Sequence, residues 1–168
     1  MGYYDGTNRE IEFERGINMI LTKATEMHIQ TLVNISKAAF DSDITVGASS
    51  VGGPPEYDSI DWHIEMMNQG HLFTAIEEDT IIGGAILFGD ESNETFMYVG
   101  RIFISPDLFR KGYGIQLMEQ IEAMNQRVTM WCLDTPIWNK RTNRFYQKIG
   151  YIETNRDDEM IYYKKILH

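Results

Sequence analysis

Residues 104–118 read ISPDLFRKGYGIQLM. A β-rich stretch stops at Pro106, passes through Arg110-Lys111-Gly112-Tyr113-Gly114, and continues as an apolar helical pattern. A strand that turns into a helix near Gly112 leaves several backbone N–H groups without an intrahelical partner. Those groups, with the positive end of the helix dipole, attract an anion. Gly112 and Gly114 let the anion approach the backbone and allow dihedrals that bulkier residues resist. As mere surface cations, Arg110 and Lys111 would oppose the dipole, and a bound anion offsets that cost. The stretch therefore reads as a phosphate or pyrophosphate cradle. The plainer reading is a solvated helix start whose glycines serve turn geometry. Neither common nucleotide fingerprint is present: the Walker pattern G-x-x-x-x-G-K-[ST] is absent, and Leu117 stands where G-x-G-x-x-G needs a small residue.

Other reactive residue types carry less. Cys132 is the only cysteine, so no internal disulfide forms, and its setting in VTMWCL reads as a small buried hydrophobe rather than a nucleophile. His28, His63 and His71 have no metal-ligand spacing, and no metal is expected.

The cradle needs a strand before it and a helix after it, and the chain supplies such elements in alternation. INMILTKA (17–24) reads as a strand. Thr25 caps a helix with Ile29, Leu32, Val33, Ser36 and Phe40 at helical spacing. Residues 41–58, rich in Gly, Ser, Pro and Asp, read as a long loop. Asp58 or Ser59 then caps a short helix with Ile60, Ile64 and Met67 on one face, ended by Gly70. HLFTAIE and TIIGGAILFGD form a hairpin about Glu78-Asp79-Thr80. TFMYVGRIFIS is a strand whose Gly100 marks a bulge or a close backbone approach. A helix from Gly114 turns Leu117, Met118, Ile121 and Met124 inward. VTMWCLD (a strand), NKRTNRFYQKIG (a helix closed by Gly150), YIETN and EMIYYKKIL (two strands) follow. The mixed order gives an α/β or α+β fold around a central sheet.

Length and composition set limits on function. The chain has 168 residues, suited to one domain. Its formal net charge of -10 disfavours binding to nucleic acid or to an anionic membrane. No run approaches the roughly 18 apolar residues of a membrane span, and no secretory h-region opens the chain, so the cytoplasm is the expected compartment. Residues 1–16 carry little apolar periodicity and read as an N-terminal extension, disordered or packed on a partner, ahead of a domain at 17–168.

Two segments together resemble the GNAT (Gcn5-related) N-acetyltransferase superfamily. IFISPDLFRKGYGIQLM is similar to its acetyl-CoA-binding motif, a strand and a proline running into [Q/R]-x-x-G-x-[G/A] and a helix. NKRTNRFYQKIGY resembles a second signature, with Asn139, Thr142, Phe145, Tyr146, Gly150 and Tyr151 in register. TAIEEDTIIGGAILF resembles the hairpin before the binding strand. The resemblance implies a three-layer fold, with a twisted mixed sheet of about six or seven strands flanked by about four helices. It also implies acetyl-CoA as cosubstrate, transfer to an amine of a small molecule or peptide, and a homodimer as one arrangement.

Residue by residue, Ile102, Phe103 and Ile104 match the strand that hydrogen-bonds the pantetheine arm, and a backbone N–H there would polarise the thioester carbonyl. Phe109, Arg110, Lys111, Gly112, Tyr113, Gly114 and Ile115 match the pyrophosphate loop. Asn139 matches a pantetheine contact and otherwise reads as a helix cap. Phe145 matches a residue lining the cofactor. Tyr146 matches the phenol that protonates the leaving thiolate, its rival role being core packing; Phe145 and Ile149 already supply the apolar pair, which frees Tyr146 to face the site.

Two positions depart from the pattern. Phe109 stands where the loop usually starts with Arg or Gln. Tyr98 stands where some members carry a catalytic glutamate, which leaves Glu94 or Asp134, through water, or solvent itself, to take the amine's proton. The resemblance places the acceptor near the first two helices and the loop between them, where Asp41, Asp43, Glu56, Tyr57, Asp58, Asp61 and Trp62 lie. As a site, these acids and aromatics would draw a cationic amine; as plain surface, they solvate a loop. A non-catalytic acyl-CoA sensor and a protein-interaction domain are the competing functional classes.

Overall fold

Glu78 and Asp79 both take positive φ, 49° and 64°, the geometry a two-residue hairpin turn requires. They join β2 (Leu72–Glu77) to β3 (Thr80–Asp90), and β3 turns back into β4 (Asn93–Ile104). The computed structural model describes residues 17–168; the expected extension at 1–16 lies outside the described residues. Before the hairpin come β1 (Met19–Lys23), α1 (Ile29–Asp41) and α2 (Ile60–Asn68). After it come α3 (Tyr113–Met124), β5 (Met130–Pro136), α4 (Lys140–Lys148), β6 (Ile152–Arg156) and β7 (Met160–Ile166).

The seven strands form one sheet in the order β1-β2-β3-β4-β5-β7-β6. Every neighbouring pair is antiparallel except β4 and β5. β5 alternates cleanly: Trp131, Leu133 and Thr135 are buried while Cys132 and Asp134 stay partly exposed. Ile82–Leu87 of β3 are buried without a break, as befits a strand covered on both faces.

Two apolar clusters fill the layers. Ile29, Leu32, Val33 and Ala39 of α1 and Met66 of α2 pack on Leu72, Ile86 and Phe103. On the other face, Leu117, Met118 and Ile121 of α3 and Tyr146 of α4 pack on Trp131, Leu133, Val99 and Tyr163. The architecture is the expected three-layer mixed sheet with four α-helices. No described helix is long and apolar enough to cross a membrane.

Four local expectations are corrected. Residues 41–58 are not structureless: Ser42–Val46 form a 3-10 turn, tied down by the Ser42 hydroxyl donating to the Ala39 carbonyl at 2.6 Å. α2 starts at Ser59, whose hydroxyl accepts from the Trp62 N–H (3.1 Å), but it buries His63 and Met66 while Ile60 and Ile64 are 41% and 37% exposed. The imidazole can go inside because its Nδ1–H donates to the Ser59 carbonyl at 2.7 Å. Met124, in the last turn of α3, is exposed. Cys132 is only partly buried, on the face of β5 opposite the α3–α4 core.

Candidate active site

β4 and β5 pair only through Phe96–Met130, Met97–Trp131 and Tyr98–Cys132, and then part. Beyond that point β4 remains bonded to β3, with Ile102 opposite Ala85, Phe103 opposite Gly84 and Ile104 opposite Gly83. One edge of residues 99–104 is therefore satisfied, while the other faces an opening inside the sheet. An extended ligand can pair with backbone there as an added strand would. Gly100 has no partner in the ladder, since Ile86 faces Arg101 and Leu87 faces Val99. It is the bulge expected from the sequence, and a Cβ at this position would lie 2.5 Å from the Phe88 ring.

At the end of β4, Pro106 opens a one-turn 3-10 segment, and the chain bends through Arg110 (φ 64°) and Gly112 (φ 89°) into α3. Gly112 is the N-cap and offers no side chain; the Gln116 N–H donates to its carbonyl at 3.1 Å. The N–H groups of Tyr113, Gly114 and Ile115 form the turn ahead of that bond, the geometry that receives an anion. Arg110 and Lys111 are exposed beside it and form no ion pair among the described residues. Tyr113 points elsewhere: its hydroxyl donates to Glu77 Oε1 at 2.6 Å, and that bond raises the phenol to about 12.

α4 brings its residues to the same end of the sheet. Asn139 is 2% exposed and caps the helix, its Oδ1 accepting from the Thr142 N–H at 3.1 Å. Phe145 lies against Gly114, where a Cβ would be 3.2 Å from the ring, so the small residue sets the approach of α3 and α4. Tyr146 is the one buried residue of α4 and packs among Phe145, Tyr151 and Tyr163 at ring separations of 5.2, 5.7 and 6.4 Å. It is thus more deeply set than the sequence implies. Burial first, and the Asp134 charge second, push its phenol far above the ordinary value and keep it protonated.

Phe109 is an anchor. Its ring packs against both apolar clusters and lies under the Arg141 guanidinium, 4.5 Å away. Arg141 Nη2 in turn meets Asp43 Oδ1 at 2.7 Å, which ties the segment after α1 to the loop and to α4. Burial still raises the Asp43 carboxyl above its usual range despite that partner.

Two of the five acids near the first two helices are engaged with the protein itself. Asp41 accepts from the Tyr57 hydroxyl at 2.7 Å and pairs with Lys37, while Asp43 is held by Arg141. Trp62 stacks over Arg101, its ring centre 4.4 Å from the guanidinium carbon. Of the two candidate bases, Glu94 is far exposed and pairs with Arg127 at the end of β4 remote from the opening. Asp134 stands two residues past the last β4–β5 pair, and its Oδ2 accepts from the Tyr98 hydroxyl at 2.6 Å. Sequence reasoning passed over Arg101, although a lone cation beside a glycine in the apolar run YVGRIFI was the available signal.

The profile of a family described as "Acetyltransferase (GNAT) domain" matches residues 68–153, just over half of the chain. No curated protein matches the sequence significantly. Among solved structures, the fold is similar to PaiA N-acetyltransferase from Thermoplasma acidophilum in complex with coenzyme A, at TM-score 0.76 and 16% identity over 90% of this chain and 100% of that one. A GNAT-family acetyltransferase from Streptococcus agalactiae gives TM-score 0.77 at 17% identity, over 89% and 96% of the two chains. An acetyltransferase from Thermus thermophilus gives 0.75 at 14%, over 90% and 98%. With the open β4 edge and the uncapped start of α3 in their expected places, the chain belongs to the GNAT acetyltransferase family.

Proposed function

We propose that the protein transfers an acetyl group from acetyl-CoA directly to a primary amine of a small molecule or peptide. The parting of β4 from β5 after Tyr98, with the glycine turn into α3 at the end of β4, carries this reading. Acetyl-CoA supplies an activated thioester, and the chain's task is to hold it and to move protons. Ile102, Phe103 and Ile104 offer their free backbone edge to the pantetheine arm. Arg110, Lys111 and the N–H groups of Tyr113, Gly114 and Ile115 take the pyrophosphate. Phe109 fixes the loop from beneath, and Asn139 and Phe145 form the α4 wall beside it.

Direct transfer needs a neutral amine near the carbonyl, a donor for the developing oxyanion, and a proton for the thiolate. A backbone N–H of residues 101–104, re-aimed by the Gly100 bulge, serves the oxyanion. Tyr146 gives the proton. Asp134, aligned by Tyr98 where the strands part, draws the ammonium and accepts its proton. β6 is an outer strand with all five residues exposed, and a homodimer would pair through that edge.

Calorimetry with acetyl-CoA and with free CoA, on the wild type and on a folded Gly112→Trp variant, tests the reading. Micromolar binding lost in the variant, followed by thiol release with an amine panel, is the expected result. No binding by the folded wild type overturns it. Binding without thiol release, unchanged in Tyr146→Phe, would make the protein a sensor instead.

A further inference from the structure

Arg101 is the anomaly of the opening. It lies on the part of β4 that has lost its β5 neighbour, directly after the Gly100 bulge, and it is partly buried. Trp62 covers the guanidinium, Nη2 donates to the Pro55 carbonyl, and Nη1 is shielded from solvent with no hydrogen-bond partner. Glu56 is the one carboxylate whose charge it feels, yet that side chain is exposed and forms no ion pair with it. Burial accordingly pulls the arginine down to about 10. A partly buried guanidinium with one nitrogen shielded from water and unpartnered is unfavourable, and satisfying that nitrogen has a large effect.

The second orphan sits beside it. His63 is 0% exposed and lies against Trp62 and Phe103, at ring separations of 5.2 and 6.5 Å. Its Nδ1 donates to the Ser59 carbonyl, so Nε2 carries the lone pair, and that atom is buried without a partner. Burial, and then the Arg101 charge, hold the ring neutral. A donor fork lacking an anion thus adjoins an acceptor lacking an N–H or O–H.

We infer that Arg101, roofed by Trp62 and flanked by His63, is the subsite for a carboxylate on the acceptor, which is therefore an amine of amino-acid type. The inference rests on the acetyltransferase reading and names its substrate class. The Pro55 carbonyl occupies one arm of the fork with a neutral oxygen. A ligand carboxylate would displace that carbonyl and engage both Nη atoms, the bidentate match a guanidinium makes best. His63 Nε2 would accept from an N–H of the same molecule. Along β4, Tyr98 stands three residues before Arg101, about 10 Å of strand at most. Asp134, held by that tyrosine, is placed for the reacting amine while Arg101 holds the other end.

The test titrates a panel of L-amino acids, each matched to the amine left by removing its α-carboxylate, into the full-length protein by calorimetry, with and without CoA. At least one amino acid should bind about 100-fold more tightly than its matched amine, the scale set by a lost buried charge contact. Arg101→Gln should abolish that preference, and Arg101→Lys should restore only part of it. Equal binding of every matched pair by the wild type, or a preference that survives in folded Arg101→Gln, overturns the inference. Should Arg101→Gln fail to fold, the wild-type preference and Arg101→Lys still decide. Failure to bind acetyl-CoA would overturn the acetyltransferase reading alone, because the titration without CoA reads the carboxylate subsite independently.

Discussion

Replacing Gly112 by alanine separates two things that the turn into α3 does. The residue sits at φ 89° and ψ 0°, a left-handed conformation that costs an L-residue about 1–2 kcal/mol. Alanine also restricts the unfolded chain, which returns about 0.4–1 kcal/mol. The net loss of about 1 kcal/mol lowers the melting temperature by about 2–4 °C in a chain of this length. Gly150 is the matched control: its φ is 101°, and an added Cβ would meet only the Lys165 side chain, no closer than 3.5 Å, an ordinary contact. Gly150→Ala should therefore lose similar stability without touching the cradle. In Gly112→Ala, relief of the left-handed conformation would re-aim the N–H groups meant for pyrophosphate. Losing one charge-assisted bond there costs about 1.5–3 kcal/mol. The acetyl-CoA Kd should weaken about 10- to 100-fold. Thermal melts and calorimetry on both variants read the two effects separately. If both bind acetyl-CoA as tightly as the wild type, the pyrophosphate does not rest on this turn.

Arg141→Gln leaves Asp43 buried without a counter-charge and should destabilise by about 3 kcal/mol at pH 7. Because burial raises the folded carboxyl above its unfolded value, Asp43 contributes stability below the unfolded pKa and loses it as pH rises; the variant widens that window, so its deficit in urea unfolding should shrink between pH 7 and pH 4. Tyr146→Phe should cut kcat about 100-fold or more while leaving the acetyl-CoA Kd within about twofold, read by thiol release and calorimetry. Gly100→Val drives a Cβ to 2.5 Å from Phe88 Cε2 and should cost about 1–3 kcal/mol in denaturant, with acetyl transfer falling further still as residues 101–104 lose their aim.

The turn chemistry was legible because it is local. Glu78-Asp79, the caps at Ser59 and Asn139, the bulge at Gly100 and the glycine entry to α3 each depend on a few adjacent residues, and each lies where the sequence puts it. The failures needed long-range information. A nine-residue helix has only about two and a half turns, so Ile60-Ile64-Met67 and His63-Met66 are equally periodic, and only the Ser59 carbonyl and the Phe103 ring decide for the histidine. Tyr146 belongs to an aromatic cluster assembled from α4, β7 and the residue after Gly150, which no spacing within α4 could announce. Phe109 reads from sequence as a departure from the usual Arg or Gln of the loop. In the folded chain it carries the Arg141–Asp43 pair, whose members are 98 residues apart.

That pair bears on how charge is used at this site. With a net charge of -10, the far field of the chain disfavours the approach of an anionic cosubstrate, so capture depends on local cations at the opening. Composition invited the opposite inference, an acidic mouth for a cationic amine. Yet Asp41 and Asp43 are neutralised by Lys37 and Arg141, close enough to cancel at a distance. The cations left without an ion pair along this end of β4, among the described residues, are Arg101, Arg110 and Lys111. Two of them are exposed at the start of a helix and cost little to leave hydrated. Arg101 is different, because it is partly buried under tryptophan with Nη1 shielded from solvent, so an anion entering beside it would satisfy an unpartnered donor. A surface count of acids therefore misses the proposed subsite, which rests on a partly buried cation that meets only the Pro55 carbonyl and the Trp62 ring among the described residues.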